Sequence, residues 1–114
     1  MGKTIKRGDV YYANLNPRKG SEEGGIRPIV VVQNNVGNYF SKTIIAIPIT
    51  TKKGKLPTHI KIPKGNNIEY DSTALSEQIR VLDKSRLRKY VCKLSKEKMK
   101  EIDSKLLLAL GLKI

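Results

Sequence analysis

A chain of 114 residues fits one domain with one modest core, so its function must sit on the surface of a single small fold (1–114) or at a subunit interface. Twenty-three Lys and Arg against ten Asp and Glu give a formal net charge of +13, which favours a polyanionic partner and argues against an anionic small-molecule pocket alone. Cys92 is the only cysteine and His59 the only histidine, which excludes a Cys/His zinc site built from one chain, and no apolar run approaches the ~18 residues needed to span a bilayer. RNA, DNA, a membrane surface and an acidic protein are the candidate partners. No metal and no cofactor are expected. The unpaired cysteine, with no secretory leader, suggests a reducing cytosol and hence a soluble, cytoplasmic protein, with Cys92 a small buried apolar residue on a strand.

In chain order, Asp9 to Leu15 alternates with strand period, Val10 and Tyr12 on one face and Tyr11 and Ala13 on the other. Arg18 to Ile26 is polar, charged and rich in glycine, which predicts a long loop. At its end Pro28 fixes its own φ and pushes Arg27 toward extended geometry, so a flap ends on a held guanidinium. That planar cation carries five donors in a fixed fork and is suited to gripping a phosphate. Pro28 to Gln33 and Thr43 to Ile49 are β-branched runs of the kind buried on both faces of a sheet. Tyr39-Phe40, between them, is expected to pack in the core rather than stack on bases.

Thr50 to Lys55 is a cationic turn before a shorter strand at Thr58 to Ile62, and Lys64 to Asn67 is another turn. Ser72 to Leu82 has strand character with interrupted alternation. Ser95 is a helix N-cap, Glu97 sits in the first turn, and Met99, Ile102, Leu106, Leu107 and Leu110 follow helical spacing up to a stop at Gly111. The predicted architecture is mainly β with α: six or so short strands in a small SH3-like antiparallel barrel or half-barrel, one side covered by a C-terminal helix.

Five segments in order resemble one family. Arg7-Gly8-Asp9-Val10, the Gly20 to Pro28 loop, Val32-Gln33-Asn34-Asn35, Pro48-Ile49-Thr50 and Leu56-Pro57-Thr58-His59 are together similar to the MazF/PemK toxins over roughly residues 6 to 110. The resemblance implies a metal-independent, sequence-specific endoribonuclease that cuts single-stranded mRNA and leaves 2′,3′-cyclic phosphate and 5′-hydroxyl ends. It also implies a homodimer, neutralised by an acidic, MazE-like antitoxin. By the same resemblance Arg27 and Thr50 are the catalytic arginine and threonine, the first stabilising the phosphate and the second hydrogen-bonding it. The principal alternative is a non-catalytic, CcdB-like toxin that binds DNA gyrase; a basic SH3-like nucleic-acid-binding module is a third.

RNA can be cut without a metal when its own 2′-hydroxyl attacks the adjacent phosphate, provided that a site orients the attack and stabilises the developing charge. Arg27 and Thr50 can meet at one rim if their strands pair antiparallel. The proton acceptor stays open, because arginine holds its proton at almost any accessible pH. His59 has the right unperturbed pKa, yet alternation sets it opposite the core, where a structural or RNA-contacting role is expected. Glu22 and Glu23 are either further candidates or solvated loop carboxylates. For binding, Asn34, Asn35, Gln78, Glu77, Ser21 and Thr51 can hydrogen-bond base edges, and Lys52, Lys53, Lys55 and Arg80 can neutralise phosphates.

Overall fold

The computed structural model describes residues 4–52 and 54–113. Seven strands pair antiparallel: β1 (Asp9–Asn14), β2 (Ile26–Val31), β3 (Thr43–Thr50), β4 (His59–Ile62), β5 (Ser72–Leu75), β6 (Arg80–Asp83) and β7 (Leu87–Lys93). Helices α1 (Asn35–Phe40) and α2 (Lys96–Ala109) complete the fold. The strand order is β4-β5-β3-β2-β1-β7, with β6 joining β3 beside β5. The expected antiparallel sheet and C-terminal helix are present, but the barrel is not closed. At two of the edge strands side chains take up strand carbonyls: Lys98 Nζ donates to Lys61 O at 2.8 Å beside β4, and Asn67 Nδ2 donates to Val91 O at 3.0 Å beside β7. Capping of this kind blunts edges that would otherwise invite pairing.

The three central strands are buried on both faces, as their β-branched composition requires. Val10, Val30, Ile47 and Ile49 share one cluster with Ile102 of α2, while Tyr11, Ala13, Ile29, Val31 and Ala46 share the other with Leu82. Long β3 serves two partners on one edge, Thr43 to Ala46 pairing with β6 and Ile49 and Thr50 with β5. Continuing the β5 register sets Leu75 against Pro48, which has no N–H to give. Pairing lapses there, and the chain turns through a 3₁₀ segment, Ser76–Gln78, before β6 begins. The predicted single stretch from Ser72 to Leu82 is therefore two strands and a turn.

Helix α2 starts as its sequence suggests, Ser95 Oγ accepting from Lys98 N at 3.1 Å, and Gly111 turns out of it at φ +69°. Ile102 is fully buried, with Met99 and Leu106 packed beside it, whereas Leu110 at the end of the expected stripe is exposed. Arg7 ties this helix to the sheet, its Nε donating to Val32 O at 2.9 Å and its guanidinium pairing with Asp103.

One element departs from expectation. Asn34 caps α1 by accepting from Gly37 N at 2.8 Å, so the residues that follow the end of β2 form a short helix absent from the predicted elements. Tyr39 and Phe40 on that helix are 71% and 78% exposed and meet edge to face at 4.8 Å, so they are not core residues. Strand β7 carries Cys92 buried, as anticipated, and burial pushes its thiol pKa up. Among the described residues no helix is long and apolar enough to cross a membrane.

Because Ile102 alone joins α2 to the fully buried core, Ile102→Ala should lower the free energy of unfolding by about 2–5 kcal/mol in urea titration. A loss below about 0.5 kcal/mol would mean that α2 adds little to the core.

Candidate functional site

The β2–β3 pairing builds the site. Ile29 faces Pro48 and Val30 faces Ile47, and two further residues along that register Arg27 lies opposite Thr50. Residues directly opposite in adjacent antiparallel strands share a face and lie close enough for their side chains to interact. Accordingly Arg27 Nη1 donates to Thr50 Oγ1 at 3.5 Å. Thr50 is 4% exposed, and its Oγ1 also accepts from Lys52 N at 3.2 Å, which fixes the start of the following turn.

The other side of the guanidinium is held by the flap. Arg27 Nε donates to Gly24 O at 2.6 Å and lies 3.2 Å from Glu23 Oε1. Glu23 is 6% exposed, and its Oε2 stands 3.8 Å from Lys52 Nζ. Glu23 is thus a buried anion between two cations rather than a solvated loop carboxylate. Glu22, by contrast, is exposed and accepts from Lys19 N at 3.0 Å. A Cβ at Gly24 would come within 2.7 Å of the Arg18 side chain, so only glycine lets the flap fold this tightly.

Gln78 carries the flap's second anchor. Its Oε1 accepts from Glu23 N at 2.9 Å, and its Nε2 lies 3.5 Å from Ser21 O. The neighbouring Glu77 receives a hydrogen bond from Thr58 Oγ1 at 2.6 Å and faces His59 Nε2 at 3.0 Å. His59 Nδ1 lies 3.2 Å from Leu56 N and 3.3 Å from Gly54 O, so the ring is held by the preceding turn with Nε2 facing Glu77. Burial pushes the Glu77 pKa up, but hydrogen bonds from Thr58, its own backbone and His59 outweigh this and hold it below the ordinary glutamate value.

Two grooves flank the pair. One of about 220 Å³ has Tyr12, Ile26, Arg27, Glu69 and Tyr70 in its walls; burial, then Glu69, raises the Tyr12 phenol pKa. The other, of about 800 Å³, is bordered by Lys52, Lys55, His59, Lys61 and Lys98, with Thr51 common to both. Tyr12, Glu69 and Tyr70 had no motif to announce them.

Arg27, Thr50, Thr51, Lys52, Lys55 and His59 thus gather around one rim with the flap, which brings Ser21 and Glu22. Lys53 lies outside the described residues. Asn34 and Asn35 are not brought there, since they follow the far end of β2 and are engaged around α1. Arg80 opens β6 opposite Ala46, partway along β3 from Thr50.

Residues 6–110 match the family described as PemK-like, MazF-like toxin of type II toxin-antitoxin system. Endoribonuclease MazF of Staphylococcus saprophyticus is 49% identical over 111 residues, covering 95% of this chain and 92% of that protein. Among solved structures, a mycobacterial endoribonuclease in complex with its cognate antitoxin superposes with a TM-score of 0.82 at 25% identity, over 96% of this chain and 98% of that one. Form-I MazF from Deinococcus radiodurans gives a TM-score of 0.85 at 24% identity, over 97% of this chain and all of that one, a likeness of fold.

The depressed Glu77 pKa has a defined sign. The ionised form favours the fold, so its contribution is present above the ordinary glutamate pKa and is lost as pH falls through the lower folded-state value. Thermal melting of the wild type should decline more steeply than that of Glu77→Gln on acidification from about pH 5 to pH 3. Parallel declines would mean that Glu77 does not anchor the turn.

Proposed function

Because the chain belongs to the PemK-like, MazF-like toxin family, matched over residues 6–110, we propose that its rim cuts single-stranded mRNA by 2′-hydroxyl attack. It is an endoribonuclease toxin, a reading supported by the 49% identical endoribonuclease and favoured by the family match over gyrase binding. The observation that carries the chemistry is the guanidinium of Arg27 directed at Thr50 Oγ1 across 3.5 Å, held from behind by the flap. A scissile phosphate seated against the pair accepts hydrogen bonds from both. The ribose 2′-hydroxyl gives up its proton as its oxygen bonds to phosphorus, the bond to the 5′-oxygen breaks and that oxygen takes up a proton, so that 2′,3′-cyclic phosphate and 5′-hydroxyl ends result. Arg27 stabilises the added negative charge where it develops.

Lys52, Lys53 and Lys55 track the RNA backbone away from the cut. Thr51, Ser21 and Glu22 contact bases at the rim, and His59 lines the cationic groove. The chemistry needs no metal ion, and its setting is the cytoplasm, where mRNA is found. An acidic antitoxin is the natural inhibitor of a +13 chain and agrees with the mycobacterial relative solved with its cognate antitoxin. A homodimer would extend the shallow rim into a groove shared by two copies.

Arg27→Ala should lower turnover on RNA by about two to three orders of magnitude, as for loss of one charge-stabilising donor, and should also lower the melting temperature, because buried Glu23 loses its nearer cation. Cleavage should persist in excess EDTA and stop when the ribose 5′ to the cut is replaced by deoxyribose. Undiminished cutting of the deoxy substrate would disprove 2′-hydroxyl attack.

Affinity for RNA should also fall with salt. Removing Lys52, Lys53 and Lys55 together should flatten the slope of log affinity against log salt by up to about two units, at roughly 0.7 per phosphate contact. An unchanged slope would put the RNA on another face.

A further inference from the structure

The RNA-cleavage reading leaves one group at the rim unexplained. Glu23 puts a negative charge beside the place where a phosphate must bind, and long-range attraction argues against an anion there. Its Oε1 is buried and makes no hydrogen bond, although it lies 3.2 Å from Arg27 Nε. Its backbone N–H is pinned by Gln78 at 2.9 Å, so the carboxylate is carried on a fixed point rather than on a free loop. A buried charge persists only when it is paired, and here the pairing is with the two cations nearest to Thr50, Arg27 at 3.2 Å and Lys52 at 3.8 Å.

A guanidinium has two useful edges. The Nε edge of Arg27 is occupied by Gly24 O and Glu23 Oε1, which leaves Nη1 aimed at Thr50 Oγ1. We propose, resting on the cleavage reading, that Glu23 is a positioning residue: anchored by Gln78, it holds the Nε edge of Arg27 so that the Nη edge meets the scissile phosphate. It does not touch RNA. It lowers the electrostatic attraction for substrate and in exchange fixes the geometry of the donor that matters in the transition state. A shift of about 1 Å in such a donor can cost on the order of 10²-fold in rate.

Positioning, proton transfer and structural support predict different outcomes. Turnover is measured under saturating RNA, and affinity is measured separately with a non-cleavable oligonucleotide carrying deoxyribose 5′ to the cut. Glu23→Ala should reduce kcat by about 10- to 100-fold, while affinity for the non-cleavable oligonucleotide stays equal or tightens, because a repelling charge has gone. Glu23→Gln keeps an oxygen within reach of Arg27 Nε and should stay within about threefold of wild-type kcat. Gln78→Leu, which frees the Glu23 backbone without touching its carboxylate, should lower kcat with affinity preserved, and it serves as the test if Glu23→Ala does not fold.

Wild-type kcat in Glu23→Ala, or in Gln78→Leu where it stands in, would overturn the proposal. So would equal losses in Glu23→Gln and Glu23→Ala, which would make the carboxylate a proton acceptor, and so would affinity falling in step with kcat, which would mean collapse of the flap. Failure of the wild type itself to cut RNA would instead refute the cleavage reading, so the two failures are distinguishable.

Discussion

The register between β2 and β3 is the constraint on which the rest of the site depends. Ile29 opposite Pro48 sets Arg27 opposite Thr50, and a slip of one residue would turn one of the two to the other face. Both strands are buried on both faces, so a slip would also exchange Val30 and Val31 between two packed clusters. The geometry of the Arg27–Thr50 pair is therefore held by core packing rather than by contacts at the rim itself. The pair is worth little to stability, and the stability of the sheet is what keeps it aligned.

Pro48 links that register to the flap. As the partner that β5 cannot pair with beyond Ala74, it ends the strand and admits the 3₁₀ turn that carries Glu77 and Gln78. Those two side chains then tie down the segments on either side of the pair. Gln78 holds the loop before Arg27 through the Glu23 backbone, and Glu77 holds the turn after Thr50 through Thr58 and His59. One missing N–H in the middle of a strand thus marks the point from which the loops on either side of the Arg27–Thr50 pair are fastened.

The sheet was legible in the sequence because burial on two faces demands continuous β-branched runs, and the meeting of Arg27 with Thr50 followed once antiparallel pairing was assumed. Helix α1 was not, because Asn34 and Asn35 serve equally well in a turn and at a helix cap. Glu23 was hidden for a different reason. A glutamate in a polar, glycine-rich loop is ordinarily solvated, and its burial depends on Arg27 four residues later and on Gln78, 55 residues away. Gln78 itself reads as a base-contacting carboxamide until the fold sets its oxygen against the flap backbone. Local pattern specifies the scaffold here, while long-range hydrogen bonds assign the polar side chains their duties.

The net charge of +13 and the buried carboxylate then act on different quantities. Surface lysines raise the local concentration of RNA and speed encounter, and their attraction is felt alike by substrate, transition state and product. Such uniform binding lowers KM without raising kcat, and because the products keep their phosphates it also slows their release. An anion beside Arg27 subtracts from this uniform attraction at the one position where binding and catalysis part company. What remains at the rim is an arginine whose donors are aimed in advance, so that its interaction grows most as charge develops on the phosphate. In a chain this basic, affinity is plentiful and alignment is scarce, and under the positioning proposal a carboxylate at position 23 trades the first for the second.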